Sequence, residues 1–334
     1  MPLIDVHCHV SPFEYPAAPG GEAASRWPCM QCESRAAGTL MIGDKPFREL
    51  DNRSWDASRR LEDMDRDDVA VQVLSPMPEL LSYWHHVDDA ILICDAANAQ
   101  IAEMIAQHPA RFRGLGVAPL QDPEAATNYL KRIKGEFGLS GVEIGSNING
   151  KMLGDSSFES FFAEGESLGL CIFVHALHPV AAKAAGVTPV ETAFVYFPID
   201  VAMAAASVAM AGLLDKFPRL RIAFSHGGGA LGAVVGRMDT GWKATKGYGG
   251  RMSEAPSAAI RKMFFDSNVL DPDYLCYLVQ NVAPGQVFAG TDYPYLIRQQ
   301  DPSGFISKLP LSADEIQSLN WHAAEKFLDE RIRA

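Results

Sequence analysis

The chain has 334 residues, 48 % hydrophobic and 21 % charged, with a formal net charge of −12. That balance suits a globular protein with a sizeable core. Lysines and arginines stand singly or in isolated pairs such as Arg59-Arg60, so there is no basic stripe for a nucleic acid or an anionic membrane.

The most apolar stretch, Val201 to Leu214, is too short to span a bilayer and reads as a buried helix. No charged-then-apolar leader precedes Leu3-Ile4-Asp5-Val6. Six cysteines without framework spacing suit reduced thiols, which makes the cytoplasm the expected compartment.

Along the chain, short β-branched or apolar runs each lead into a helical stretch. The runs are Leu3–His9, Val69–Ser75, Phe112–Ala118, Gly141–Gly145, Cys171–His175, Arg221–His226, Met263–Asn268 and Val287–Asp292. Runs such as Ile172-Phe173-Val174 are apolar throughout, as strands buried on both faces should be. Between them, Asp88 to His108 reads as a long helix. Asp122-Pro123-Glu124 places proline at a first helical position, and Ser312 with Glu315 forms a capping-box pattern. Eight such units predict an α/β fold, a TIM-type (β/α)8 barrel, with residues 1–334 as one domain. The interval of about 10–58, rich in Pro, Gly and Ala, is expected to be an insertion over the barrel mouth.

The chemistry of such barrels sits at the C-terminal ends of the strands, and the polar residues of this chain collect there. His7-Cys8-His9 ends the first run, His175 the fifth, His226 the sixth and Asp292 the eighth. Residues two apart on a strand share a side, so His7 and His9 can offer two imidazoles to one ion. His175 adds a nitrogen and Asp292 a carboxylate oxygen. This donor set suits Zn2+, with Mn2+, Co2+ or Fe2+ as substitutes. Singly, each residue also reads as a packed core histidine or a turn cap; the joint pattern is what points to a metal. Glu143 and Asp266 end the fourth and seventh runs and are expected to orient the histidines as hydrogen-bond acceptors. Gly227-Gly228-Gly229 allows either close backbone passage to a ligand or a tight turn. Cys29 and Cys32 lack a second pair at zinc-ribbon spacing, and His85-His86 reads as an exposed pair.

Ile4-Asp5-Val6-His7-Cys8-His9, Val174-His175, Ser225-His226-Gly227-Gly228-Gly229 and Gly290-Thr291-Asp292-Tyr293-Pro294 resemble the amidohydrolase superfamily. Met41-Ile42-Gly43, Phe47-Arg48, Pro119-Leu120-Gln121-Asp122 and Gly141-Val142-Glu143-Ile144-Gly145 carry the likeness further, to its aminocarboxymuconate-semialdehyde decarboxylase branch. It runs over nearly the whole chain, from Ile4 to about Phe327. The resemblance implies that His7, His9, His175 and Asp292 bind one Zn2+, with Asp292 also at the point of catalysis. His226 then contacts the metal-bound water as base. The implied reaction is non-oxidative decarboxylation of a small carboxylated ring-cleavage product or a related aromatic acid. Arg48 and Arg237 match the branch's carboxylate-binding arginines, a role that the planar guanidinium fork suits. With a helix starting near Ala230, Arg237 stands roughly 10 Å along it and is awkwardly placed for its own metal. In the branch this arginine enters the neighbouring subunit's site, so a homodimer is expected.

The loops depart from the branch. Its tryptophan after the fifth-strand histidine is replaced within Ala176-Leu177-His178-Pro179. A Trp-rich segment becomes Ala193-Phe194-Val195-Tyr196-Phe197-Pro198, and Tyr295-Leu296-Ile297-Arg298 stands where Phe-Pro-Leu-Gly is usual. His178 and Arg298 are polar groups new at these positions. The alternative reading is a metal-dependent hydrolase or hydratase of a lactone, amide or unsaturated acid; a non-catalytic zinc-binding barrel is the remote one. Release of carbon dioxide separates the first reading from both.

Overall fold

The computed structural model describes residues 2–332. Its main sheet has eight parallel strands, each hydrogen-bonded to the next in chain order. They are β1 (Leu3–Val10), β2 (Val69–Pro76), β3 (Phe112–Gly116), β4 (Gly141–Gly145), β5 (Cys171–His175), β6 (Ile222–Phe224), β7 (Phe264–Asp266) and β8 (Val287–Phe288). The first and last strands meet. The Val6 amide donates to Ala289 O at 2.9 Å and the His9 amide to Tyr293 O at 2.7 Å. The result is the expected closed barrel. The last three strands are shorter than the runs that announced them, because the chain turns away at their polar ends.

The principal helices after successive strands are α1 (Ala57–Arg66), α2 (Val87–Gln107), α3 (Pro123–Gly135), α4 (Glu159–Leu168), α5 (Phe197–Met210), α6 (Leu231–Ala244), α7 (Pro272–Tyr277) and α8 (Ala323–Leu328). Asp122 caps α3 by accepting from the Glu124 and Ala125 amides, with Pro123 at its first turn. The Ser312–Glu315 capping box forms. The helix expected at Val201 to Leu214 is longer than predicted. α5 continues a helical run from Pro189, making 22 residues, whose most apolar 18-residue window has a mean hydropathy of 1.7. Val201, Ala204 and Ala205 are fully buried against the barrel, whereas Phe194, Val195 and Met203 are exposed.

Inside the barrel, Ile4, Val6, Val71, Val73, Leu115, Phe173, Phe264 and Phe288 form one cluster with Phe327 of α8. The Phe327 ring lies 5.4 Å from Phe264 and 5.2 Å from Phe288, so the last helix closes the barrel opposite its catalytic mouth. β1 carries a register irregularity between Asp5 and Cys8. This bulge is why Ile4 and Val6 can fill the interior below while His7 and His9 face it above; unbroken alternation would have sent the histidines outward.

The interval after β1 carries its own antiparallel sheet, Pro28–Ser34, Ala37–Ile42 and Lys45–Asp51. Cys29 and Cys32 are exposed and unbridged on its first strand. Buried Trp27 ties the insertion to the barrel, its ring lying 5.4 Å from that of His85. That contact corrects one expectation. His85 is buried and its Nε2 lies 3.2 Å from Arg26 O; only His86 is exposed.

Candidate metal centre and active site

His7, His9, His175 and Asp292 converge at the barrel mouth, all four buried, with one ligand atom of each within 4.8 Å of the others. What fixes the rings is at their far sides. His7 Nδ1 lies 2.5 Å from Asp266 Oδ2, His9 Nδ1 lies 2.9 Å from Pro76 O, and His175 Nδ1 lies 2.9 Å from Ala176 O. Each partner is an acceptor, so each ring keeps its proton on Nδ1 and turns an Nε2 lone pair inward.

The inward atoms then face one another. His7 Nε2 and His9 Nε2 are 3.1 Å apart, and Asp292 Oδ1 is 3.2 Å from His9 Nε2 and 3.5 Å from His7 Nε2. His175 Nε2 and Asp292 Oδ1 are buried with no hydrogen-bond partner among the described residues. Mutually facing lone pairs repel unless a cation lies between them. Two nitrogens on one tetrahedral zinc stand roughly 3.3 Å apart, close to the spacing found. The donor set therefore fits a divalent metal.

The electrostatics agree. Burial pushes Asp292 up, but the charge of His7 and the close imidazoles of His226 and His9 outweigh it and hold the carboxyl well below its usual range. Burial and the neighbouring imidazoles of His9, His7 and His226 together keep His175 neutral, well below an ordinary histidine. Burial would also lower His7; the charges of Asp292 and Asp266 win and raise it to about 9.

Asp266 is the acceptor expected for a metal-binding histidine, and its Oδ1 also accepts from the Gly227 amide at 2.7 Å. Glu143 is fully buried and approaches His9 Nδ1 less closely, at 3.6 Å; burial lifts its carboxyl to about 7. The Gly227–Gly229 segment is a packed turn. Gly229 has φ +56, and a Cβ there would meet Pro198 O at 1.7 Å. His226 itself has φ +54, as Asp292 has φ +69, a conformation that non-glycine residues hold at a cost and that clusters at functional sites. His226 Nδ1 lies 3.0 Å from Ser225 Oγ, and Nε2 is 3.6 Å from Asp292 Oδ2.

Arg48 reaches this mouth from the insertion. Its guanidinium carbon lies 4.4 Å from the centre of the Tyr295 ring, which stacks on His9 at 5.2 Å and 24°. Arg237 is on α6, exposed, and among the described residues it forms no ion pair. The structure therefore does not bring it to the ligands of its own chain. Nor does it bring His178, whose Nε2 lies 3.1 Å from Glu79 Oε2, or Arg298, which packs 5.3 Å over Tyr293.

Two supporting residues escaped sequence reasoning. Arg60 is wholly buried and donates to His9 O at 2.8 Å and Gln72 Oε1 at 2.9 Å. Asp5 accepts from Thr291 N at 3.0 Å and Thr291 Oγ1 at 2.7 Å, pinning the segment before Asp292 to β1. The available signal for Arg60 was its place on the face of α1 that also carries Met64, both buried.

A parallel barrel whose strand ends gather three imidazoles, a carboxylate and a further histidine defines a metal-dependent enzyme of the amidohydrolase type. Comparison with known proteins agrees. The amidohydrolase family model matches residues 4–329. A 2-amino-3-carboxymuconate-6-semialdehyde decarboxylase of Dictyostelium discoideum is 33 % identical over 307 residues, 92 % of this chain and 85 % of that protein. The crystal structure of a 5-carboxyvanillate decarboxylase from Sphingomonas paucimobilis superposes with a TM-score of 0.83 at 24 % identity, over 99 % of each chain. A dihydroxybenzoic acid decarboxylase from Polaromonas sp. JS666, solved with bound manganese, gives 0.75 at 20 % identity, over 98 % of this chain and 97 % of that one. The chain belongs to the amidohydrolase family, in the branch of the aminocarboxymuconate-semialdehyde decarboxylases.

Proposed function

We propose that this chain is a metal-dependent carbon–carbon lyase that removes carbon dioxide, without an oxidant, from a small unsaturated or aromatic acid. The first candidate substrate is 2-amino-3-carboxymuconate 6-semialdehyde, the compound named for the Dictyostelium relative. The observation that carries the reading is the convergence of four ligand atoms within 4.8 Å, with His226 Nε2 3.6 Å from Asp292 Oδ2.

His7, His9, His175 and Asp292 would hold the ion, and Zn2+ is our choice because the donors are three nitrogens and one oxygen. A divalent ion there supplies Lewis acidity and lowers the pKa of a water. His226, with Nε2 3.6 Å from Asp292 Oδ2, would act as the base for a water whose hydroxyl adds to one carbon of the substrate's conjugated double bond. The proton goes to the neighbouring carbon, which bears the departing carboxylate. Breaking the bond to the carboxylate releases carbon dioxide, re-forms the double bond and expels the hydroxyl. Arg48 holds a substrate carboxylate at the mouth.

Arg237 is assigned to the site of a second copy of the chain. Support comes from its exposure on α6 and from the exposed apolar Phe194, Val195, Met203, Val234 and Tyr277, carried by α6, α7, α5 and the helical run that leads into α5. The six free cysteines fit a reducing, cytoplasmic setting.

The test is carbon dioxide release by zinc-loaded protein given freshly generated 2-amino-3-carboxymuconate 6-semialdehyde, beside Arg48→Ala. Rapid release that the variant loses is the expected result. Consumption of water without carbon dioxide from an unsaturated acid or lactone would overturn the assignment in favour of a hydratase or hydrolase.

A further inference from the structure

A cavity of about 660 Å³ is lined by residues that include none of the four proposed metal ligands. Its wall is assembled from four places: Arg26 in the insertion, Trp84 after β2, Asn147 and Asn149 after β4, and His178 with Lys183 after β5. That volume is in the range of small-molecule sites.

Three features give it chemical character. Arg26 and Lys183 are exposed, and neither pairs with a carboxylate among the described residues, although the chain carries a net charge of −12. Trp84 is held flat, with the Arg26 guanidinium carbon 4.5 Å from its ring centre and the His178 ring stacked at 4.8 Å and 23°. The Trp84 Nε1–H is shielded from solvent and donates to no described residue. His178 has a left-handed conformation, φ +42, and its Nε2 lies 3.1 Å from Glu79 Oε2. Two cations without a carboxylate partner, beside an indole whose N–H is unused, suit a planar anion.

We infer that this cavity is a separate binding site for a planar aromatic or conjugated carboxylate, with Arg26 and Lys183 taking the carboxylate groups beside the Trp84 ring. The inference does not depend on which reaction the metal centre performs. It also gives a role to His178, new at its position after β5, which braces Trp84.

The probe is benzene-1,3-dicarboxylate, titrated into the metal-loaded full chain by calorimetry and by tryptophan fluorescence. The expected result is a binding event that survives Arg48→Ala. Arg26→Ala combined with Lys183→Ala should weaken it by at least about tenfold, the loss of charge-assisted contacts, and Arg26→Lys with Lys183→Arg should keep it. Trp84→Phe should remove its fluorescence change. Both cations are exposed, so the fold should persist, checked by an unchanged melting temperature. Unchanged affinity in the double alanine variant, or a single event abolished by Arg48→Ala, overturns the inference. A failed decarboxylation assay leaves this result standing, and the reverse holds too.

Discussion

His226 differs from the other imidazoles of the mouth in what its nitrogens meet. The three metal-binding histidines each have Nδ1 against a carbonyl or carboxylate acceptor, which locks the proton away from the ion. His226 has Nδ1 near a hydroxyl, Ser225 Oγ at 3.0 Å, a partner able to donate or accept, so its ring can exchange a proton without losing its place. As proposed base, His226→Asn should lower kcat by about 10²–10⁴ while metal content, measured by mass spectrometry, stays at wild-type level. Loss of metal in that variant would instead make His226 a ligand. Asp266→Asn asks the complementary question. The amide keeps the shape but not the charge beside His7, so metal affinity measured by competition with a chelator should fall about 10- to 100-fold. An unchanged affinity would mean that the contact, at 2.5 Å, orients nothing.

The loop that presents Asp292 is held less by its own sequence than by α1. Tyr293 Oη donates to Asp63 Oδ2 at 2.7 Å, and the same buried carboxylate meets Arg66 Nη1 at 2.5 Å and Arg59 Nη2 at 3.1 Å. Burial opposes the ionised form, but the Tyr293 hydrogen bond and the charges of Arg66 and Arg59 prevail, so Asp63 titrates below its ordinary value. A lowered pKa means stability present above the unfolded-state value and lost as pH falls through the folded one. Asp63→Asn should therefore cost about 2 kcal/mol at neutral pH, seen as a lower midpoint in urea. The gap to wild type should shrink below roughly pH 4. A pH-independent gap would show that shape rather than charge is at stake. None of this was legible beforehand, since a helix pattern does not say which distant loop its polar residues will meet. The strands were legible because burial on both faces demands unbroken apolar runs such as Ile172-Phe173-Val174. The metal-binding group was legible because barrel topology collects strand ends at one mouth. The bulge in β1 was not, because it is a property of register against β2. The three-stranded sheet of the insertion was hidden behind its Pro, Gly and Ala content, and Tyr295 could be noticed only as a changed loop residue, not as the plate between His9 and Arg48.

At the scale of the whole molecule, an acidic chain that is to bind an acid must concentrate cations where the acid goes. This one places Arg48 above Tyr295, 4.4 Å from its ring centre, but leaves its other candidate, Arg237, on the outer face of α6. One chain alone therefore supplies one of the two proposed carboxylate anchors, and a two-fold dimer would supply the second to each site. That arrangement predicts a specific pattern of complementation. In a dimer of one Arg48→Ala subunit with one Arg237→Ala subunit, one site lacks both arginines. The other site has both. Each variant alone should be nearly inactive. Unfolding and refolding an equimolar mixture, so that subunits redistribute at random, should restore roughly one quarter of wild-type activity, because about half the dimers are mixed and half their sites are whole. The recovered KM should equal that of wild type, since the restored sites are chemically complete. If Arg237 acted within its own subunit, every site in the mixture would lack one arginine and activity would stay at the level of the parents, whatever the oligomeric state seen by sedimentation.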